Sequence, residues 1–138
     1  MTEEYQFVLR PPLKPEDLGR LRQMVGWDEA IELYQQTLGK TYLWIGCFIG
    51  EELIGYVDVV SDGVADAYIR DLIIHPQHQR QGLGTRLVSL AIDQVRHDGI
   101  RMVSVVFDPQ LTAFYQGLGF HSVAGGLIDF GSTDSDAD

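Results

Sequence analysis

Hydrophobic and polar positions along the first half of the chain follow two different periods. Residues 5–9 alternate as a short strand, and Pro15 begins a segment with helical spacing and an acidic first turn. A second helix is predicted over residues 28–38, with its first residue, an aspartate, as the N-cap. Two β-rich runs, 42–49 and 53–60, flank a polar glycine turn and are typical of a hairpin. This half therefore predicts a strand, two helices and an antiparallel strand pair.

The second half of the chain returns to strand periodicity before a longer helix. Residues 67–74 predict a strand that ends before a His-Pro pair, and residues 82–98 predict a helix. Residues 102–107 form an apolar run typical of a buried strand, and residues 108–116 predict a short helix. One or two short strands are predicted over residues 120–130. The element order is therefore β-α-α-β-β-β-α-β-α-β(-β), an α/β fold class.

Charge limits the partners that this chain is expected to bind. Its 138 residues include 10 basic and 20 acidic side chains, a formal net charge of −10. Nucleic acid is not expected as a partner, because neutralising phosphates requires clustered Lys and Arg. Four aspartates fall in the last ten residues, and the remainder, at −6, suits a cationic substrate such as an amine. We expect one domain over residues 1–130 and an acidic flexible tail over residues 131–138.

The N-terminal sequence has no pattern of an export signal or a membrane span. It lacks a basic segment followed by an apolar stretch, and the apolar runs elsewhere are far below spanning length. We therefore expect a cytoplasmic protein with no membrane partner.

Cysteine and histidine positions argue against a thiol or metal mechanism. Cys47, the only cysteine, lies in an apolar run and is predicted to be a buried hydrophobic side chain rather than a nucleophile. A single cysteine also excludes an intramolecular disulfide. The four histidines show no recognised metal-ligand spacing, so no metal is expected.

The strongest chemical signal is a strand that runs through a glycine-containing loop into a helix. Residues 71–84 hold this junction, with the sequence DLIIHPQHQRQGLG. Amide N–H groups of the first turn and the positive end of the helix meet there, which suits a phosphate or pyrophosphate. Gly82 and Gly84 allow a ligand to approach the backbone closely, and Arg80 adds positive charge at the rim.

A second motif, Phe-Tyr-x-x-x-Gly-Phe, follows one helix and one strand later and begins at Phe114. Together with the loop pattern Gln-x-x-Gly-x-Gly, it resembles the GNAT superfamily of acetyl-CoA-dependent N-acetyltransferases. The matching residues are Gln79, Gly82, Gly84, Phe114, Tyr115, Gly119 and Phe120. The resemblance implies a mixed, mostly antiparallel central sheet with helices on both of its faces.

The resemblance also implies how acetyl-CoA would be held. In such enzymes the strand before the loop separates from its neighbour, and its free backbone groups pair with the pantetheine arm. The positions that match this strand segment are Leu72, Ile73 and Ile74. The positions expected to hold the pyrophosphate, mainly through backbone amides, are Gln79, Arg80, Gln81, Gly82, Leu83, Gly84 and Thr85.

Catalysis of acetyl transfer requires an acid for the departing thiolate and a base for the amine. The resemblance assigns the acid to Tyr115. For the base, Asp71 is the first candidate and Asp58 the second, with a water relay as an alternative. Each of these two aspartates has an alternative interpretation as a structural residue that forms an ion pair, with Arg70 as a candidate partner. Strand alternation predicts that Asp71 shares a face with the two flanking isoleucines, opposite Arg70.

The expected function is acetyl transfer from acetyl-CoA to a small primary amine by direct attack in a ternary complex, without an acetyl-enzyme. Two alternatives remain: a protein N-terminal or lysine acetyltransferase, and an acyl-CoA-binding module without turnover. The short segment after residue 120 predicts a final strand that is either abbreviated or completed by a partner subunit in a homodimer.

Overall fold

The computed structural model describes residues 4–131, which divide after Phe107 into two compact units. The first unit, residues 4–107, contains all of the strands in the described chain. Its elements are β1 (Gln6–Leu9), α1 (Pro15–Met24), α2 (Ile31–Thr37), β2 (Leu43–Ile49), β3 (Glu52–Ser61), β4 (Asp66–Ile74), α3 (Leu83–His97) and β5 (Met102–Val105).

These strands form one five-stranded sheet in the order β1-β2-β3-β4-β5. Neighbouring strands are antiparallel except for β4 and β5, which α3 connects in parallel. Helices α1 and α2 cover one face and α3 covers the other. The fold class, a mixed and mostly antiparallel sheet with helices on both faces, is confirmed.

Alternation along the central strands divides the core between the two faces. On the α1/α2 face, the buried side chains of β3 and β4 pack against Leu18, Leu21 and Tyr34. On the opposite face, α3 contributes an apolar stripe that includes the buried Leu87 and Val88. A β-carbon on Gly55 would lie 3.2 Å from the Leu87 side chain, so the helix packs closely on β3. This packing fixes the direction in which α3 begins.

Helix α2 begins three residues later than the sequence pattern predicts. Asp28 does not cap it; its carboxylate accepts a hydrogen bond from the Ala30 amide at 3.1 Å in the preceding turn. Ala30 itself has φ +55° and is the residue before the helix. Aspartate forms such local turns readily, and the turn competes with helix initiation at position 28.

The second unit, residues 108–131, contains a short 3₁₀ turn (Pro109–Leu111) and α4 (Thr112–Gly117). The predicted strand over residues 120–130 is wrong, because residues 120–131 form neither strand nor helix. Consecutive glycines at positions 125 and 126 interrupt the apolar run, and glycine disfavours strand interiors. The side chains of Leu127 and Phe130 are exposed. Most of the predicted acidic tail, residues 132–138, lies outside the described residues.

Candidate active site

Strand β4 carries a bulge at the centre of the sheet. Tyr56 of β3 pairs with Ile73, and Asp58 of β3 pairs with Arg70. Val57 of β3 therefore lies opposite two residues of β4, Asp71 and Leu72. The extra residue is accommodated at Asp71, which has φ +55°. Aspartate is among the few non-glycine residues that adopt this left-handed conformation with any frequency. The bulge therefore changes the direction of the side chains within β4.

The bulge corrects the predicted orientation of Asp71. Asp71 and Arg70 both face α1 and α2, whereas the alternation predicted opposite faces for these neighbours. Tyr34 of α2 donates its phenolic proton to Asp71 Oδ2 at 3.1 Å, and Arg22 Nη1 lies 3.9 Å from Asp71 Oδ1. The side chain of Asp71 retains 28% exposure. The carboxylate is thus held in place and remains accessible.

Arg22 links the turn between α1 and α2 to the bulge. Its Nη1 donates to the Tyr34 hydroxyl at 3.3 Å, and its Nε donates to the backbone carbonyl of Asp28. The guanidinium also stacks over the Trp27 ring, 5.1 Å from the centroid. One cation therefore fixes both the phenol and the carboxylate that face the interior of this site.

Asp58 lies beside this group but is sealed from solvent. It is 2% exposed, and Arg70 Nε donates to its Oδ1 at 2.8 Å while the Tyr56 hydroxyl donates to Oδ2 at 3.2 Å. Burial raises the pKa of Asp58 to about 6, and the hydrogen bond and charge of Arg70 oppose that rise. The ion pair predicted between a site aspartate and Arg70 is therefore formed by Asp58, whereas Asp71 lies near Arg22.

The two phenols in this group remain proton donors. Burial, reinforced by the charge of Asp71, raises the pKa of Tyr34 to about 12. Burial and the charge of Asp58 likewise raise the pKa of Tyr56 far above its usual value. Each hydroxyl is therefore protonated at neutral pH and stabilises the ionised form of its carboxylate partner.

Strand β4 extends beyond its parallel neighbour. β5 pairs only with the first part of β4, from Asp66 opposite Met102 to Ile69 opposite Val105. β4 then continues to Ile74 without a β5 partner. The backbone on this side of residues 70–73 consequently has no β5 partner and can pair with an extended ligand.

The loop after β4 places the first turn of α3 next to the segment of β4 that has no β5 partner. Gly82 precedes the helix with φ +80° and has no side chain to cap it. The first turn contains no acidic residue, and the amides at its start have no intrahelical partner. With the positive end of a 15-residue helix, these amides form a cradle for an anionic group.

Two glutamines of the predicted cofactor loop serve the loop itself. Gln79 Nε2 donates to the Ile74 carbonyl at 3.0 Å and closes the end of β4. Gln81 Oε1 accepts from the Tyr5 hydroxyl at 2.8 Å, which ties the loop to the segment before β1. Arg80 is exposed with φ +65°, and the Arg86 guanidinium lies 4.2 Å from the centroid of the Phe7 ring.

Tyr115 belongs to the second unit and is buried within α4. It is 5% exposed, and the rings of Phe114 and Phe120 approach its own ring edge-on with centroids at 4.8 Å and 5.8 Å. Burial raises the pKa of the Tyr115 phenol above its usual value, so the proton stays on the oxygen at neutral pH. Such a phenol can donate a proton but is a poor base.

Other residues singled out in the sequence have structural roles. Cys47 is fully buried, as predicted, and burial raises the pKa of its thiol to about 11. Asp108 precedes the 3₁₀ turn and makes no side-chain cap there, although aspartate before proline commonly caps a helix. Over residues 4–131 no three His, Cys, Asp or Glu side chains are grouped to hold a metal, and no helix is long and apolar enough to cross a bilayer.

Sequence reasoning missed Arg22 and Tyr34 as partners of Asp71. They belong to different helices, and Tyr34 is 37 positions from Asp71. An arginine on an amphipathic helix and a tyrosine in an apolar stripe carry no local signal of this role. Only the packing of α1 and α2 on β4 brings the three side chains together.

Comparison with known sequences gives a family match. The profile of the acetyltransferase (GNAT) family matches residues 10–120. An N-acetyltransferase named ycf52 from Gracilaria tenuistipitata var. liui is 33% identical over 109 residues, 75% of this chain and 60% of the relative. A ycf52-like protein of Prochlorococcus marinus is 32% identical over 126 residues, 86% of this chain and 70% of the relative.

A third curated relative, the chloroplastic GCN5-related N-acetyltransferase 2 of Arabidopsis thaliana, is 35% identical over 77 residues, 56% of this chain and 30% of the relative. The chain therefore spans less than two thirds of the length of some of its relatives.

Solved structures show the same fold. A GNAT-family acetyltransferase from Streptococcus pneumoniae superposes with a TM-score of 0.78 at 24% identity, over 92% of this chain and 99% of the other. A probable acetyltransferase from Staphylococcus aureus reaches 0.83 at 19% identity, over 92% and 100%. At these identities the likeness concerns the fold alone.

Proposed function

Because the chain belongs to the acetyltransferase (GNAT) family, we propose that it transfers the acetyl group of acetyl-CoA to a small primary amine. The observation that carries this proposal is the uncapped start of α3 beside the free segment of β4. An anionic pyrophosphate fits the amide cradle, and an extended amide-containing arm fits the strand edge. Acetyl-CoA contains both groups.

The roles of the side chains follow from their chemistry. When bound, acetyl-CoA supplies an activated acetyl thioester. The amine nitrogen attacks the carbonyl carbon directly, the new C–N bond forms, and the C–S bond breaks. Asp71 takes the proton that the amine loses, directly or through one water, because its carboxylate is accessible. Tyr115 gives its phenolic proton to the departing sulfur, a role supported by its protonated state and its place in the family motif.

A coupled assay tests the proposed function. Purified protein is titrated with acetyl-CoA in a calorimeter and then incubated with acetyl-CoA and a panel of small amines, peptides with free N-termini and lysine peptides, while free thiol is measured. We expect saturable acetyl-CoA binding and amine-dependent thiol release that is highest with small amines. Binding with no thiol release for any acceptor would instead favour a module without turnover, and preference for a peptide would favour a protein acetyltransferase.

Asp71→Asn is expected to lower kcat by about 10²-fold or more, since general bases typically contribute 10²–10⁴-fold. A base must be ionised to accept a proton, so the wild-type rate falls as pH drops through the pKa of the base. This acid limb is expected to disappear from the pH-rate profile of Asp71→Asn. Asp66→Asn, an exposed change on the same strand, serves as the matched control.

Asp58→Asn separates the two candidate bases. Because burial raises the pKa of Asp58 to about 6, a base at this position would produce an acid limb near pH 6. Loss of such a limb in Asp58→Asn, with an intact profile in Asp71→Asn, would reverse the assignment. A limb that survives both substitutions would favour a water relay.

The proposed domain, residues 1–130, and its cytoplasmic location stay predictions. The Arabidopsis relative is named as chloroplastic, so the relatives do not point to one compartment.

A further inference from the structure

An open cavity of about 320 Å³ lies on the α1/α2 face of the sheet, within the first unit. The end of α2, the segment that follows it, the end of β3 and Arg70 in the middle of β4 form its walls. Its volume is near the lower limit of small-molecule sites. The cavity is therefore large enough for a small metabolite.

The charge of this cavity is opposite to that of the whole chain. Lys40 and Arg70 line it, and none of the described residues that line it is Asp or Glu. The chain as a whole has twice as many acidic as basic side chains. Arg10 adds a third cation near the rim, because its Nη2 donates to the Tyr42 carbonyl at 2.9 Å and Tyr42 also lines the cavity. The local field favours an anion.

Nearby carboxylates offset part of this field but leave the charge of Lys40 uncompensated. Asp58 is paired with Arg70 Nε at 2.8 Å and is 2% exposed, so it orients the guanidinium and offsets much of its charge. Asp98 accepts the phenolic proton of Tyr42. Lys40 has no comparable carboxylate partner among the ion pairs of the described residues. Its ammonium group is consequently available to a ligand.

The cavity adjoins the candidate base. Arg70 and Asp71 are consecutive, and the bulge directs both toward α1 and α2. On α2, Tyr34 contacts Asp71. Thr37, three residues further along the same helix, lines the cavity. One helical turn advances about 5 Å, so the cavity wall at Thr37 lies about one turn along α2 from the residue that contacts Asp71. The fold therefore places the Asp71 carboxylate and the cavity lined by Lys40 and Arg70 on the same face of the sheet, adjacent to each other along β4.

We propose that this cavity binds a carboxylate on the acceptor, so that the substrate class is a small amino acid rather than a simple cationic amine. This inference rests on the proposed function and replaces the expectation drawn from net charge. The ammonium end lies toward Asp71, where it loses its proton before attack. The carboxylate end lies toward Lys40 and Arg70, whose hydrogen bonds to it are charge-assisted.

Matched acceptors test the proposal. For several amino acids, kcat/KM is compared with that of the corresponding amino acid amide, which keeps the amine and the size but removes the negative charge. The wild-type protein is expected to prefer the acid by about 10-fold or more, as one charge-assisted hydrogen bond allows. Equal use of acid and amide, or a preference for the amide, would overturn the proposal and leave amine acetylation intact.

Lys40→Met keeps most of the side-chain length and removes the charge. It is expected to raise KM for the amino acid about 10-fold with kcat nearly unchanged. For the amide, both KM and kcat are expected to stay unchanged. Lys40→Glu should reverse the preference. Lys14→Met is the control, because Lys14 is the only other lysine of the chain and lies at the start of α1. It should leave KM unchanged for both the amino acid and its amide. Arg70 is not substituted, because its loss would leave the buried Asp58 carboxylate without its ion-pair partner.

Calorimetry of amino acid binding covers the case in which no acceptor is turned over. Carboxylate-dependent binding that Lys40→Met weakens would support the cavity assignment even if acetyl transfer itself failed. Binding that is equal for acid and amide, or unchanged in Lys40→Met, would refute it.

Discussion

Tyr115→Phe is expected to lower kcat by about 10²–10⁴-fold, the usual contribution of general acid catalysis, with little effect on acetyl-CoA binding. The substitution removes one oxygen atom and keeps the ring that packs edge-on against Phe114 and Phe120. Burial raises the pKa of the phenol, so the wild-type group carries its proton across the neutral range. Without it, the thiolate of CoA must depart unprotonated or take a proton from water.

Turnover and folding are measured separately for this variant. Thiol release gives kcat, calorimetry gives the acetyl-CoA dissociation constant, and thermal unfolding reports stability. Tyr68→Phe, which removes a hydroxyl from a more exposed tyrosine of β4, is the control and should retain wild-type turnover. If Tyr115→Phe turned over at the wild-type rate, Tyr115 would be a packing residue and the acid would be elsewhere.

Gly82→Val is expected to raise the acetyl-CoA dissociation constant by about 10–10²-fold, equivalent to losing one or two charge-assisted hydrogen bonds to backbone amides. Gly82 has φ +80°, a conformation that a β-branched residue adopts only with strain. A valine either forces the loop to change its path or shields the first-turn amides of α3. Both outcomes remove the cradle without touching Asp71 or Tyr115.

Gly63→Val provides a matched control for backbone strain. Gly63 has the same φ of +80°, and neither glycine has an atom within 4 Å of the position that a β-carbon would occupy. The two valine variants should therefore lose similar stability, while only Gly82→Val loses acetyl-CoA affinity. Equal dissociation constants for the two variants would exclude the start of α3 as the pyrophosphate site. Gly82→Ala should give an intermediate effect.

The regular elements were largely predictable because they depend on local periodicity. Residues 82–98 were predicted as a helix and α3 covers Leu83–His97, since its apolar spacing and its glycine boundary are both encoded within the segment. The strands of the hairpin were likewise predicted to within two residues. The glycine loop and the Tyr115 motif stand out because glycines and aromatic residues occur there in a fixed order and spacing.

Elements that depend on competition between local and distant contacts were less predictable. The bulge at Asp71 arises from the pairing of β3 with β4, and periodicity within β4 alone wrongly predicted opposite faces for Arg70 and Asp71. The late start of α2 reflects an aspartate turn that competes with the helix. The strand predicted after residue 120 has apolar residues but no ladder of hydrogen bonds in the described chain.

The sequence by itself determined the order of elements through α4 and the family, and it predicts a loop that suits a pyrophosphate, because short-range spacing and turn chemistry encode all three. The tertiary structure decided the partners of the carboxylates: Arg22 and Tyr34 for Asp71, and Arg70 for Asp58. It also decided that a chain with a net charge of −10 contains a cavity whose charged lining residues, Lys40 and Arg70, are both basic. Net charge is a sum over all positions, whereas the field in a cavity depends on the few side chains that the fold brings to its walls.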